Sequence, residues 1–199
     1  MLKERLKKYN IILASGSPRR QQLLKDLNLD FSIQLKEIEE NFPSNLKGSE
    51  ITDYLAKLKS TPFQKLKKND ILITSDTIVW LHNKAIGKPK SKIEAIEIFN
   101  KLSGNMHQVI TSVCIKTTQN IKIFNDTTNV FFKTLTDEEI NYYIDNFSPY
   151  DKAGGYGVQD WIGYIGVEKI EGSFYNVMGF PIHKFYQEMK PTYIKKDES

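Results

Sequence analysis

Along the chain the apolar period switches repeatedly between strict alternation and helical spacing, and this switching predicts strands and helices interleaved from end to end. Ile11, Ile12 and Leu13 form a compact apolar run, a polar turn follows, and Gln21-Gln22-Leu23-Leu24 continues as helix. Phe31 to Leu35 reads as a second strand and leads into the acidic loop Lys36 to Pro43. Ile51, Tyr54, Leu55 and Leu58 recur at helical spacing behind Ser49, a candidate cap, while Lys57 and Lys59 fall off that stripe. Two apolar runs, Ile71 to Thr74 and Ile78 to Leu81, flank Ser75-Asp76-Thr77, a reading that puts Asp76 at a strand end. A helix is predicted from Ser91 to Leu102, with Ile93, Ile96, Phe99 and Leu102 inward and a stop at Gly104. His107 to Lys116 alternates as a strand and pairs as a hairpin with Asn120 to Thr134. Thr136 and Glu139 make a capping box for a helix with Ile140, Tyr143, Ile144 and Phe147 inward, ended by Pro149. Ile162 to Ile170 reads as a strand pair or bulged strand, and Phe180-Pro181 opens a last helix to about Met189. The class is α/β.

Composition then narrows what such a fold can do. With 199 residues, 40% of them hydrophobic, the chain can bury one real core or two closely joined lobes. Lys and Arg number 28 against 24 Asp and Glu, a net charge of +4, and apart from clusters near each end the lysines are scattered. That balance suits small anionic ligands and argues against a nucleic-acid groove. The one cysteine, Cys114, excludes an internal disulfide and a multi-cysteine metal site and points to a reducing compartment. No stretch is long and apolar enough to span a bilayer, and the basic, amphiphilic residues 1–10 lack a signal-peptide core. The expectation is a soluble cytoplasmic protein.

Candidate chemistry begins at Ala14-Ser15-Gly16-Ser17-Pro18-Arg19-Arg20. Gly16 permits a sharp turn, Ser17 suits an N-cap and Pro18 the first helical position. Acidic residues are favoured in a helix's first turn, yet here two guanidiniums stand there, so the dipole, the N–H groups and the forks together suit a phosphate. Asp76, between two buried-strand runs, is costly unless paired, hydrogen-bonded or metal-bound, and suits a divalent metal or activation of a water. Gly154, Gly155 and Gly157 suit a backbone that approaches a ligand closely. No Gly-Lys-Ser/Thr phosphate loop and no Ser–His–Asp arrangement occurs, and the scattered histidines disfavour a histidine metal site.

Six blocks in this order, Ala14 to Arg20, Ser75 to Val79, Gly87-Lys88-Pro89, Lys101 to Gly104 with His107-Gln108-Val109, Asp151 to Gln159 and Gly172 to Pro181, resemble the Maf family of nucleoside triphosphate pyrophosphatases. The resemblance runs from about Ile11 to the last helix. It implies cleavage between the α and β phosphates, giving the monophosphate and pyrophosphate, with a divalent cation such as Mg²⁺ or Mn²⁺. It implies a twisted mixed sheet with flanking helices, similar to inosine triphosphatases, in which two lobes enclose a nucleotide cleft with the opening turn facing Asp76. Residues 8–190 would form that single domain, with polar termini at 1–7 and 191–199.

By the family pattern Asp76 would be the catalytic carboxylate, and Arg20, Lys59 and Lys88 would neutralise phosphates that Ser15 and Ser17 hold. Glu39, or its neighbour Glu40, would place the metal together with Asp76. Asp151-Lys152-Ala153-Gly154 with Gln159 is similar to the subgroup acting on dTTP and UTP rather than on 7-methyl-GTP. Arg19, Thr77 and Gln159 match its specificity positions, and an amide both donates and accepts, as a pyrimidine edge requires. The family also implies a homodimer, and neither a membrane nor a stable nucleic-acid partner is expected. The sequence departs from the pattern at Ser75, Ser60, Gly155 and Asp160-Trp161, with Trp161 read as core. The rival readings are the same chemistry on another nucleotide, such as 7-methyl-GTP, and a catalytically silent nucleotide- or nucleic-acid-binding regulator.

Overall fold

The computed structural model describes residues 1–189. In chain order the elements are α1 (Leu2–Leu6), β1 (Asn10–Leu13), α2 (Pro18–Asp26), β2 (Phe31–Ile33), α3 (Ser49–Ser60), β3 (Asp70–Leu81), β4 (Lys84–Ile86) and α4 (Lys92–Leu102). There follow β5 (Met106–Lys116), β6 (Ile121–Phe132), α5 (Asp137–Phe147), α6 (Trp161–Gly166), β7 (Val167–Glu171), α7 (Phe174–Val177) and α8 (Ile182–Glu188). The strands form one mixed sheet in the order β2-β1-β3-β5-β6-β7, with β4 beside the end of β3. β1 is parallel to β2 and β3, and the remaining pairs are antiparallel.

This pairing leaves a gap that decides where a ligand can go. On one edge of β3, β5 pairs from Leu72 to Trp80. On the other edge β1 pairs only as far as Ile73, and β4 begins only at Val79. Thr74 to Ile78 therefore have no strand on that side, and Asp76 lies in mid-strand beside the opening. The expectation of a strand end is corrected here: antiparallel pairing with β5 carries the extended backbone straight through the polar triplet.

Alternation along β3 distributes what surrounds the gap. Ile71 and Ile73 join one apolar cluster with α1, α2 and α8, whereas Val79 joins a second with α4, α5 and α6. Ser75 and Thr77 fall between those clusters on the same face. The opposite face carries Leu72, Thr74, Asp76 and Ile78, and α3 covers it through Ile51 and Leu55.

Several local expectations change. The opening residues 1–7 carry α1, whose Leu2 and Leu6 are buried against α2 and α8, since the apolar pair lies four apart on one helical face. The expected tail 191–199 lies outside the described residues. α3 is capped by Gly48 (φ 52) rather than Ser49. On α4, Ala95 and Ile98 take the inward places with Phe99 and Leu102, because capping at Ser91 turns Ile93 to solvent, and Ile96 is only partly buried. Phe147 stays partly exposed at the end of α5, although it stacks on Tyr143. Residues 162–170 divide into α6 and β7, and Trp161 packs at the rim of the second cluster, its ring 4.7 Å from that of Tyr142. The glycine stretch serves packing: Gly154 has φ +69, and a Cβ there would come within 2.6 Å of the Val79 side chain. Its backbone lies directly on β3, where only glycine fits.

Candidate active site

The gap opens into a cavity of about 920 Å³. Its walls are the turn after β1 with the start of α2, the loop after β2, Lys59 from the end of α3, Ser75 of β3, Lys88 and Asp151. Ser17 occupies the N-cap of α2 without a side-chain capping bond, so the first-turn N–H groups of that helix stay open to an acceptor from the cavity. The Ser17 N–H donates to Ser15 Oγ at 3.3 Å, which tightens the turn.

Behind the wall, Asp76 Oδ1 accepts a 2.7 Å hydrogen bond from Lys59 Nζ. The same ammonium lies 3.0 Å from Glu40 Oε2. The Asp76 side chain is 8% exposed, and burial raises its carboxyl above the usual aspartate range even though Lys59 and Arg20 pull the other way. No hydrogen bond from the described residues reaches Oδ2. Lys59, off the apolar stripe of α3, reaches Asp76 because that helix packs across β3 and β5, held to β3 by Thr74 Oγ1 donating to the Ala56 carbonyl at 2.5 Å.

On the other face Arg20 is a clamp. Its Nε–H donates to the Gly179 carbonyl at 2.9 Å, Nη1 donates to the Ser75 carbonyl at 2.9 Å and to Ser15 Oγ at 3.3 Å, and Nη2 donates to Thr77 Oγ1 at 3.0 Å. The bond to Ser75 occupies the edge of β3 that no strand covers. Burial lowers this guanidinium to about 10, so it keeps its charge at neutral pH.

The profile of the family described as Maf-like protein matches residues 10–192. The chain belongs to the Maf family. It is 57% identical over 188 residues to a dTTP/UTP pyrophosphatase of Flavobacterium johnsoniae, covering 94% of this chain and 97% of that one. It is 55% identical over 187 residues to the protein of the same name from Flavobacterium psychrophilum, covering 94% and 96%. Among solved structures it is similar to the Staphylococcus aureus Ham1 protein, with a TM-score of 0.45 and 18% identity over 62% of this chain and 71% of that one.

In this Maf chain the residues singled out from sequence fall into three groups. Ser15, Ser17, Arg19, Arg20, Lys59, Lys88 and Glu39 all face the cavity. Asp76 and Thr77 lie one layer behind it, bonded to Lys59 and Arg20 respectively. Gln159 is not part of the cavity wall; its side chain is partly buried and its Oε1 has no partner among the described residues. Arg19 reaches Asp151 at 3.3 Å across the cavity mouth. Lys88 is exposed and makes no hydrogen bond or ion pair with another described residue. Thr111 and Asn176, which join Thr77 to α7, went unnoticed in the sequence; a threonine on the inward-facing alternation of His107 to Lys116 was the available signal.

Among the described residues no three metal-ligating side chains cluster. Asp76 and Glu40, however, converge on the ammonium of Lys59, which shows that two carboxylates can share one cation at this point. Mg²⁺ commonly takes one or two carboxylates and completes its shell with phosphate and water, so these residues fit it. Glu39 faces the same cavity but is exposed and accepts from Asn41, so Glu40 makes the closer approach to Asp76.

Proposed function

We propose that this protein hydrolyses dTTP and UTP to the monophosphate and pyrophosphate. The observation that carries the reading is a buried carboxylate with a raised pKa at a sheet gap, one layer behind a cavity that holds an open helix N-terminus and an unpaired lysine. The names of the relatives support the choice of substrate.

The polyphosphate lies against the first turn of α2, where the helix dipole, Ser15 and Ser17 favour anionic oxygen, and Lys88 closes on it from the far side. A water attacks the α phosphorus; its proton passes to Asp76 Oδ2 as the bond from the α phosphorus to the bridging oxygen breaks, and pyrophosphate leaves. A carboxylate raised toward working pH is the better proton acceptor, and Lys59 holds the other oxygen so that Oδ2 has one orientation. A divalent cation held by Asp76 with Glu40, and Glu39 beside them, would neutralise charge building on the phosphates. Arg19, at the cavity mouth, meets the base; Thr77 acts on the site only through Arg20, and Gln159, outside the cavity wall, is assigned no contact with the base.

The direct test incubates the purified protein with Mg²⁺ and a panel of triphosphates that includes 7-methyl-GTP, and identifies products. Pyrophosphate with dTMP or UMP is expected. Orthophosphate release would overturn the reaction class, and preference for 7-methyl-GTP would overturn the choice of base.

A further inference from the structure

The seam between the two apolar clusters holds a closed ring of hydrogen bonds around Arg20. Arg20 Nη2 donates to Thr77 Oγ1 at 3.0 Å, and Thr77 Oγ1 lies 3.0 Å from Thr111 Oγ1. Thr111 Oγ1 donates at 3.2 Å to the carbonyl of Asn176. The N–H of Gly179 donates to that same carbonyl at 2.9 Å, and the Gly179 carbonyl accepts from Arg20 Nε at 2.9 Å. A guanidinium can only donate and a carbonyl only accept, so the hydroxyl protons have one consistent direction. Thr77 accepts from Arg20 and gives its proton to Thr111, which gives its own to Asn176. The alternative acceptor for Thr77, the Gly179 carbonyl, is further away at 3.4 Å.

The ring is fixed from both sides. Asn176 is fully buried, and its amide donates at 3.0 Å both to the Val109 carbonyl and to Thr128 Oγ1. Gly179 has φ +105, a backbone conformation that side chains disfavour, and this lets its carbonyl turn toward Arg20. Thr111 is fully buried in the middle of β5 and does not line the cavity.

We propose that Thr111 is a positioning residue for the triphosphate site, acting through Thr77 to hold the Arg20 guanidinium beside Ser15 and the Ser75 carbonyl. The inference rests on the pyrophosphatase reading but concerns a residue outside the cavity. Without the Thr111 hydroxyl, the Thr77 proton must turn to the more distant Gly179 carbonyl, and Arg20 gains freedom to leave the wall it forms.

The test compares Thr111→Val, which keeps the β-branched shape and removes the hydroxyl, with Thr111→Ser, which keeps the hydroxyl and removes a methyl. KM and kcat for dTTP are measured, together with the Kd of an α,β:β,γ-bismethylene dTTP, which neither α–β nor β–γ cleavage can cut, and the Tm of each variant. Thr111→Val is expected to raise KM and Kd about tenfold, the upper end of the scale for one net hydrogen bond, with kcat within about twofold. Thr111→Ser is expected to stay within about twofold of the parent protein in KM and Kd, even if its Tm falls further. Parent-like KM and Kd in Thr111→Val, or equal losses in both variants, would overturn the proposal. The Kd readout does not depend on which bond is cut, so a failure of the pyrophosphatase reading would appear separately, as absent pyrophosphate release by the parent protein.

Discussion

Behind one wall of the cavity stands Asp76, with a side chain 8% exposed, and on the cavity lining stands Lys88, exposed where the chain leaves β4. The Asp76 side is made of strand and helix, and its polar groups are bonded to one another: carboxylate to Lys59, guanidinium to two carbonyls and two hydroxyls. The Lys88 side is mostly loop, with Arg19 on the first turn of α2. Lys88 faces water, and the Arg19–Asp151 pair joins an arginine 23% exposed to an aspartate 58% exposed. In low dielectric a bonded charge is held hard and its proton affinity is set by its neighbours, whereas an exposed charge adjusts to its ligand at little cost. The buried side is thus suited to proton transfer and alignment, and the open side to admitting and neutralising a polyphosphate.

The largest effect is expected from Asp76→Asn. Turnover should fall by about 10²–10⁴-fold, the range for losing a general base. Stability should move the other way. Because folding raises this carboxyl, its contribution to stability is full below the unfolded carboxyl's range and is lost as pH rises through the raised value. At neutral pH the ionised group is therefore a liability, and Asp76→Asn should match or exceed the parent protein in Tm. For the same reason kcat/KM of the parent protein should decline on the acid side at a pH above the ordinary aspartate value of about 4. Retained turnover in the variant, or a decline at or below that value, would erase the distinction between the two sides.

Lys88→Met should leave Tm and kcat nearly unchanged and raise KM for dTTP about tenfold, as expected for one lost charge-assisted phosphate contact. A clear drop in Tm would mean that the open side carries fold as well as charge. The smallest effect belongs to Asp151→Asn, which removes an exposed pairing with Arg19 and should cost less than about 1 kcal/mol in urea unfolding. A loss of several kcal/mol would show the two sides to be tied together at the cavity mouth.

Much of this was legible in the chain. The turn at Ser15 to Arg20, the capping box at Thr136, the hairpin of His107 to Thr134 and the unusual carboxylate at Asp76 follow from local chemistry, because caps, turns and alternation act over a few residues. Polar residues with a strong local reason to be where they are announced themselves.

Other features depended on contacts between distant parts of the chain. That Asp76 lies in mid-strand follows from the pairing of β3 with β5, and that it lies beside an opening follows from where β1 stops and β4 starts. Lys59 was expected on the phosphates by the family pattern, and the packing of α3 on β3 turns its ammonium to Asp76 and Glu40. Gly154 looked like a ligand-binding glycine until Val79 was found against it. The sequence by itself determined the α/β class, the anion-seeking helix start and the out-of-place carboxylate, since each is a property of neighbouring residues. The tertiary structure alone decided that Arg20 is held in a ring closed by Thr111 and Asn176. Apart from the local bond between Gly179 and Asn176, those hydrogen bonds join residues from 34 to 159 positions apart, and no local periodicity encodes a contact at that range.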